Sequence, residues 1–215
     1  RKHTFSQFGA GSLVPGVRTH LSRFMVVHPG GLLREAEVLG CGLDGVTISP
    51  QALVTTPFHV AANHIRERRQ RHGSCGLGVG ETVADSLAFP EDAIRFCDLA
   101  SPSLLRRKLL RLQSRKWSEL GPDPVLESRT VIEEWMALVG SLRVATAEDV
   151  FRETVVFEGA QGVLLDEWRG FHPHTTWSTC TFDNALSLLQ GYPGEVVRLG
   201  VLRSYMTRHG NRPLP

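Results

Sequence analysis

TVVFEGAQGVLLD, residues 154–166, decides how this chain is read. Its first four residues, Thr154 to Phe157, are β-branched or aromatic, the composition of a buried strand. Glu158 ends the apolar run, and Gly159 and Gly162 permit backbone conformations that other residues resist. Val163-Leu164-Leu165 then resumes an apolar pattern suited to a short helix. A strand that empties into a Gly-rich turn is where α/β sheets gather their ligand-binding groups. Gln161 brings an amide to that turn, with one acceptor oxygen and two N–H donors, enough to read a base edge or a carbonyl. The plainer reading is a tight turn that happens to hold a Gln. The loop that follows, to Thr179, is crowded with His, Thr and Trp.

Outward from this block, strands and helices alternate. His3 to Val27 holds strand-like pieces broken by Gly and Pro, and Val46 to Ile48 and Ala52 to Thr55 are short strand candidates. Glu195 to Tyr205 reads as a long strand. Helices are expected over Gly31 to Leu39, Pro57 to Arg71, Ser103 to Leu120, Ser128 to Leu142 and Asp183 to Leu189. Ser103 and Ser128 are the residue type that caps a helix start. The fold class this implies is α/β, with a mainly parallel central sheet flanked by helices and Val155-Val156-Phe157 within it. Arg66–Arg71 and Arg106–Arg115 read as solvated helix faces.

At 215 residues, 41% hydrophobic and 21% charged, the chain has the composition of a globular protein with a real core. A net charge of +2 implies no strong field toward nucleic acid or a membrane. Cys41, Cys75, Cys97 and Cys180 form no CxxC pair, which argues against a zinc cage or disulfide scaffold and suits a reducing cytoplasm. His172 and His174 flank a Pro without a third ligand at a supporting spacing, so no metal site is expected of them.

The densest Gly loop is His72-Gly73-Ser74-Cys75-Gly76-Leu77-Gly78-Val79-Gly80. Its flexibility lets backbone N–H groups approach a phosphate, with the Ser74 hydroxyl as a further donor. It is not GxxxxGK[ST], because no Lys follows, and it comes after a helix rather than a strand. A plain mobile loop fits the local pattern equally well.

Together these stretches resemble the adenylosuccinate synthetase family. Glu158 to Asp166, then Gly170, Pro173 and Thr176, matches the family's EGAQGxLLD…G..P..T block in order and spacing. The Gly loop looks like its GTTGRGIGP loop. Ser204 to Gly210 resembles its AYTTRVG strand end, and Gly11-Ser12-Leu13 with Gly16-Val17 echoes its SGIL..GV segment. The resemblance runs over nearly the whole chain.

What the resemblance implies is a GTP-dependent ligase, related in fold to the P-loop NTPases. It phosphorylates the 6-oxygen of IMP with GTP and Mg2+ and lets the amine of L-aspartate displace that phosphate. Gln161 would sit against the purine base as a catalytic and substrate-binding residue. Thr176 would hold the 5′-phosphate, and Ser74, Cys75, Gly76 and His209 would complete the substrate site. The family's GDEGKG and NNAGHT segments, source of its catalytic Asp, Lys and His, correspond to a region before Arg1. Its guanine and aspartate segments correspond to a region after Pro215. Residues 1–215 are thus expected to form one such domain, incomplete at both ends, of a cytoplasmic homodimer in purine biosynthesis.

Three departures bear on substrate. Cys75 stands where the family has a phosphate-binding Thr, and Leu77 replaces the loop's Arg. Phe89 falls where an Arg reaches the partner subunit's IMP phosphate. The acceptor nucleotide and the amino acid therefore stay open, with Ser74 or Arg95 as compensating groups in an ordinary enzyme. A non-catalytic nucleotide-binding paralogue is the rival reading.

Overall fold

Short parallel strands carry the fold, with helices supplying the crossovers that parallel pairing needs. The computed structural model describes residues 3–70, 73–151 and 153–205. β1 (Thr19–Leu21) pairs in parallel with β3 (Val46–Ile48), and β3 with β5 (Ala145–Thr146), giving the order β1-β3-β5. β2 (Val26–Val27) and β4 (Leu53–Val54) form a second parallel pair. That pair is widened by an antiparallel bridge from Leu53 to Arg95, where Val54 N donates to Ile94 O and Phe96 N to Ala52 O, each at 2.9 Å.

The helices follow the apolar periodicity. α1 (Pro29–Leu39) and α2 (Pro57–Gln70) each begin with Pro, whose missing N–H costs nothing in a first turn. α3 spans Val79–Ala88, α4 Pro102–Leu120, α5 Pro124–Glu127, α6 Val131–Gly140 and α7 Asp183–Leu188. Along α4 the buried positions are Leu105, Leu109, Leu112, Lys116 and Leu120, one stripe at steps of three and four. The four Leu pack with Leu21, Val27, Ile48, Val54 and Phe58 into one core. Neither expected Ser starts its helix. Pro102 precedes Ser103 in α4, and α6 begins at Val131, with Ser128 Oγ accepting from Thr130 N.

Two strand expectations are corrected. Thr154–Phe157 forms no strand, and Val156 is 89% exposed. The Phe157 ring instead meets Phe151 edge-on, 5.3 Å between centroids. Glu195–Tyr205 is also without strand structure, and Val201 and Leu202 are more than 90% exposed. β-branched composition favours a pleated, half-buried surface, but a strand exists only where a neighbour offers its ladder. Among the described residues neither segment has one. Val163–Leu165 does form the expected short turn of 3-10 helix. Among the described residues no helix is long and apolar enough to cross a membrane.

Candidate functional site

The Gly loop joins α2 to α3 and is fastened to α2 by two side chains one turn apart. The Glu67 carboxylate accepts from Gly73 N at 2.9 Å and Ser74 N at 3.1 Å. Asn63 Oδ1 accepts from Gly78 N at 3.2 Å, while Asn63 Nδ2 donates to Ser74 Oγ at 2.8 Å. Gly78 has φ +75°, and a Cβ there would come within 2.9 Å of the His59 carbonyl carbon and the Val60 nitrogen. Only Gly lets the loop lie this close to α2 before α3 begins. Ser74 and Cys75 stay exposed on the outer side of the loop, and Gly76 is half-buried between them and α2.

The 158–180 block folds back on itself around one carboxylate. Asp166 is buried, and Oδ1 accepts from Trp168 N and Arg169 N, each at 2.9 Å. Oδ2 accepts from Cys180 N at 2.6 Å. Burial would raise the Asp166 pKa, yet these three backbone donors hold it below the usual carboxylate range. Thr176 N donates to Leu165 O at 2.8 Å and Glu167 N to Ser178 O at 3.2 Å, so the two limbs of the loop run side by side. Gly170 sits where a Cβ would lie 2.5 Å from Asp166 O, which leaves no room for another residue. Gln161, exposed at the head of the loop, has φ +62°, and Cys180 Sγ reaches its Oε1 at 3.8 Å. Burial pushes the Cys180 thiol pKa up, with Asp166 and Glu167 adding to the rise.

Contacts near both ends tie this block to the rest of the fold. At its start, Glu158 Oε2 accepts from Ala10 N at 2.8 Å, joining it to the 3-10 turn Ala10–Leu13, where Ser12 Oγ pairs with Thr19 Oγ1. At its far end, the Trp177 indole lies 3.3 Å from where a Cβ on Gly80 would be, against the first turn of α3. The structure therefore sets Trp177, the residue after Thr176, against the helix that the Gly loop feeds, with Gln161 on the same folded block. His209 lies outside the described residues.

Reasoning from sequence missed a buried polar network behind the Gly loop. Thr82 Oγ1 donates to Gly78 O at 2.9 Å and pairs with Thr55 Oγ1 at 3.0 Å. His59 Nδ1 lies 3.2 Å from Thr56 N, which can only donate, so Nδ1 accepts and a neutral His59 carries its proton on Nε2. Asp85 takes Arg115 at 2.9 Å and Lys116 at 3.5 Å, and Lys116 also reaches Glu81 at 3.1 Å. Burial works against a charged Asp85, but His59, Lys116 and Arg115 hold its pKa down at about 2. Lys116 was legible, since it continues the stripe Leu105, Leu109, Leu112. The Arg clusters lie on solvated helix faces and carry ion pairs there: Arg66 with Glu81 and Glu119, Arg106 with Glu133, and the more covered Arg115 with Asp85 and Asp92. Phe89 lies beneath Arg115, whose Cζ is 4.2 Å from the ring centroid.

Comparison with known proteins identifies the family and the fold. The family model described as adenylosuccinate synthetase matches residues 1–215. The adenylosuccinate synthetase of Synechocystis sp. is 34% identical over 224 residues, covering 96% of this chain and 50% of that protein. That of Mycolicibacterium vanbaalenii is 32% identical, covering 96% and 52%. A solved structure, the fully ligated adenylosuccinate synthetase from Plasmodium falciparum, superposes with a TM-score of 0.65 at 20% identity. It covers 91% of this chain and 49% of that one, and at this identity it speaks for the fold alone. The chain spans about half the length of the curated relatives it matches. On the family match over its full length and on these relatives, the chain belongs to the adenylosuccinate synthetase family.

Proposed function

We propose that residues 1–215 form the acceptor-nucleotide part of a GTP-dependent, carbon–nitrogen bond-forming ligase. It joins L-aspartate or another amino acid to the 6-oxo position of IMP or a related nucleotide. The observation that supports this reading is the packing of Trp177, the residue after Thr176, on the first turn of α3 at Gly80, two residues beyond Gly78 at the end of the Gly loop. In this reading the Ser74 hydroxyl, the amides around Cys75 and Gly76, and Thr176 hold the 5′-phosphate. Gln161 meets the purine edge, where its amide fixes the 6-oxo form for phosphorylation and is its catalytic contribution. His209 belongs to the same substrate site. The enzyme works as a cytoplasmic homodimer in purine biosynthesis.

GTP and Mg2+ enter through the family alone. The Gly loop carries no Lys, and among the described residues no group of three or more His, Cys, Asp or Glu could hold a metal ion. The described residues therefore do not fit that part of the chemistry, and in this reading their work is to bind and orient the acceptor.

A second reading, a nucleotide-binding paralogue without turnover, is favoured by Cys75 and Phe89, which offer no charged donor to a phosphate. The test is adenylosuccinate formation by the complete gene product supplied with IMP, L-aspartate, GTP and Mg2+. Product formation is expected. IMP binding without product with any amino acid supports the paralogue, and absence of nucleotide binding overturns both.

A further inference from the structure

Asn63 makes two hydrogen bonds whose directions can be assigned. Gly78 N–H can only donate, so the Asn63 atom facing it at 3.2 Å is the carbonyl oxygen Oδ1. The amide nitrogen Nδ2 must then face Ser74, and it donates to Ser74 Oγ at 2.8 Å. Gly76 N–H is directed at the same hydroxyl oxygen, at 3.4 Å. A hydroxyl has two acceptor sites and one hydrogen. With both acceptor sites facing donors from the loop and from α2, the Ser74 hydrogen is left to point away from Asn63. Ser74 is exposed, so that hydrogen is within reach of a ligand.

We propose that Asn63 is a positioning residue that presets Ser74 as a hydrogen-bond donor to an anion. The inference rests on the acceptor-nucleotide reading above and adds to it the residue that orients the phosphate loop. An Asp at position 63 would keep the bond from Gly78 N–H but has no hydrogen to give Ser74. The Ser74 hydroxyl would then turn inward to the carboxylate, and a bound phosphate would lose a donor and meet a negative charge. Glu67 takes the Gly73 and Ser74 backbone N–H groups and so holds the start of the loop, while the Ser74 hydroxyl is met by Asn63.

The experiment is calorimetric titration of the full chain with IMP and with inosine, which lacks the phosphate. The proteins are wild type, Ser74→Ala, Asn63→Asp and the double variant. Ser74→Ala should weaken IMP roughly tenfold or more, the scale of one charge-assisted hydrogen bond. Asn63→Asp should weaken IMP at least as much, and Ser74→Ala should cost nothing further in the Asn63→Asp background. Inosine affinity should hold in all four proteins. Unchanged IMP affinity in Asn63→Asp overturns the proposal, as do additive losses in the double variant. Equal losses of IMP and inosine also overturn it, because they mark a merely structural residue. A wild type that takes neither IMP nor inosine overturns the nucleotide reading instead. Inorganic pyrophosphate titrated into the same proteins then decides the role of Asn63: loss in Asn63→Asp sustains it, and equal or absent binding ends it.

Discussion

His59 Nε2 lies 4.0 Å from Asp85 Oδ2, with both side chains buried and no hydrogen bond made by that nitrogen. The pair joins α2 to α3 directly behind the Gly loop, where Gly78 touches the His59 backbone. Burial lowers the His59 pKa more than the neighbouring Asp85 raises it, with Lys116 lowering it further and Glu81 opposing. The folded protein therefore keeps His59 neutral, and Asp85 draws its charged compensation from Lys116 and Arg115 beside the polar contact with His59.

Stability should fall with acid in two windows. A His whose folded pKa is depressed contributes fully above its unfolded pKa of 6.5. That contribution is lost as pH falls from 6.5 through the lower folded value, because the unfolded chain binds the proton first. His28, also lowered by burial, adds with the same sign. Asp85 acts later, losing its contribution between 3.8 and about 2, on the order of 2 kcal/mol in all. Urea unfolding across pH should show a smaller loss below pH 6.5 in His59→Gln than in wild type. The same loss in both proteins would remove His59 from the account.

Gly78→Ala should destabilise the protein by about 1–3 kcal/mol, since a Cβ there meets α2 backbone and the positive φ strains any side chain. Gly45 is the control: a Cβ there has nothing within 4 Å and its φ is unstrained. Gly45→Ala should stay within about 0.5 kcal/mol of wild type. Chemical denaturation separates the two, and equal effects would mean the loop is not pressed against α2.

α1, α2, α4, α6 and α7 and the strands β3 and β4 were legible because their apolar residues recur at helical or strand spacing, as in Leu105, Leu109, Leu112 or Val46-Thr47-Ile48, whereas α5 and the two-residue β5 carried no such signal. α3 was not. Its buried residues are Thr82 and Asp85 while Leu87 is 66% exposed, so its polarity runs opposite to the usual pattern. The Gly loop was accordingly read through Gly80 rather than ending at Gly78. Thr154–Phe157 misled in the other direction, carrying strand composition without a partner strand. At the site, Ser74, Gln161 and Thr176 stand out by motif. Asn63 and Glu67 sit unmarked inside an amphipathic helix, and only the folded loop shows what they hold.

Gln161 lends itself to a substitution with opposed effects. At φ +62° a Gln pays a backbone penalty that Gly does not. Gln161→Gly should therefore leave stability within about 1 kcal/mol of wild type despite the entropy Gly loses on folding. If the amide reads the purine edge, nucleotide affinity should still fall by about 1–3 kcal/mol. Calorimetry with IMP and a urea melt of the same variant make the comparison. Unchanged affinity in a folded variant reduces Gln161 to a turn residue.

Phosphate recognition is the point on which substrate choice turns. A 5′-phosphate needs several charge-assisted donors to offset its desolvation. Phe89 offers only a ring, 45% exposed. The guanidinium above it, Arg115, is held by Asp85 at 2.9 Å and Asp92 at 2.6 Å. Arg95, the other compensating candidate, gives Nη1 to Gln51 O at 2.8 Å. Both cations would have to leave protein partners to serve a ligand, so wild type should bind IMP weakly. Phe89→Arg with Cys75→Thr supplies a guanidinium and a hydroxyl together, and the 45% exposure of position 89 lets the new charge reach solvent. The double variant should gain roughly tenfold in IMP affinity, about the worth of one charge-assisted bond. Direct titration of the complete gene product decides. Tight IMP binding by wild type, or no gain in a folded double variant, would mean that Arg95 or Ser74 already completes the phosphate site of an ordinary adenylosuccinate synthetase.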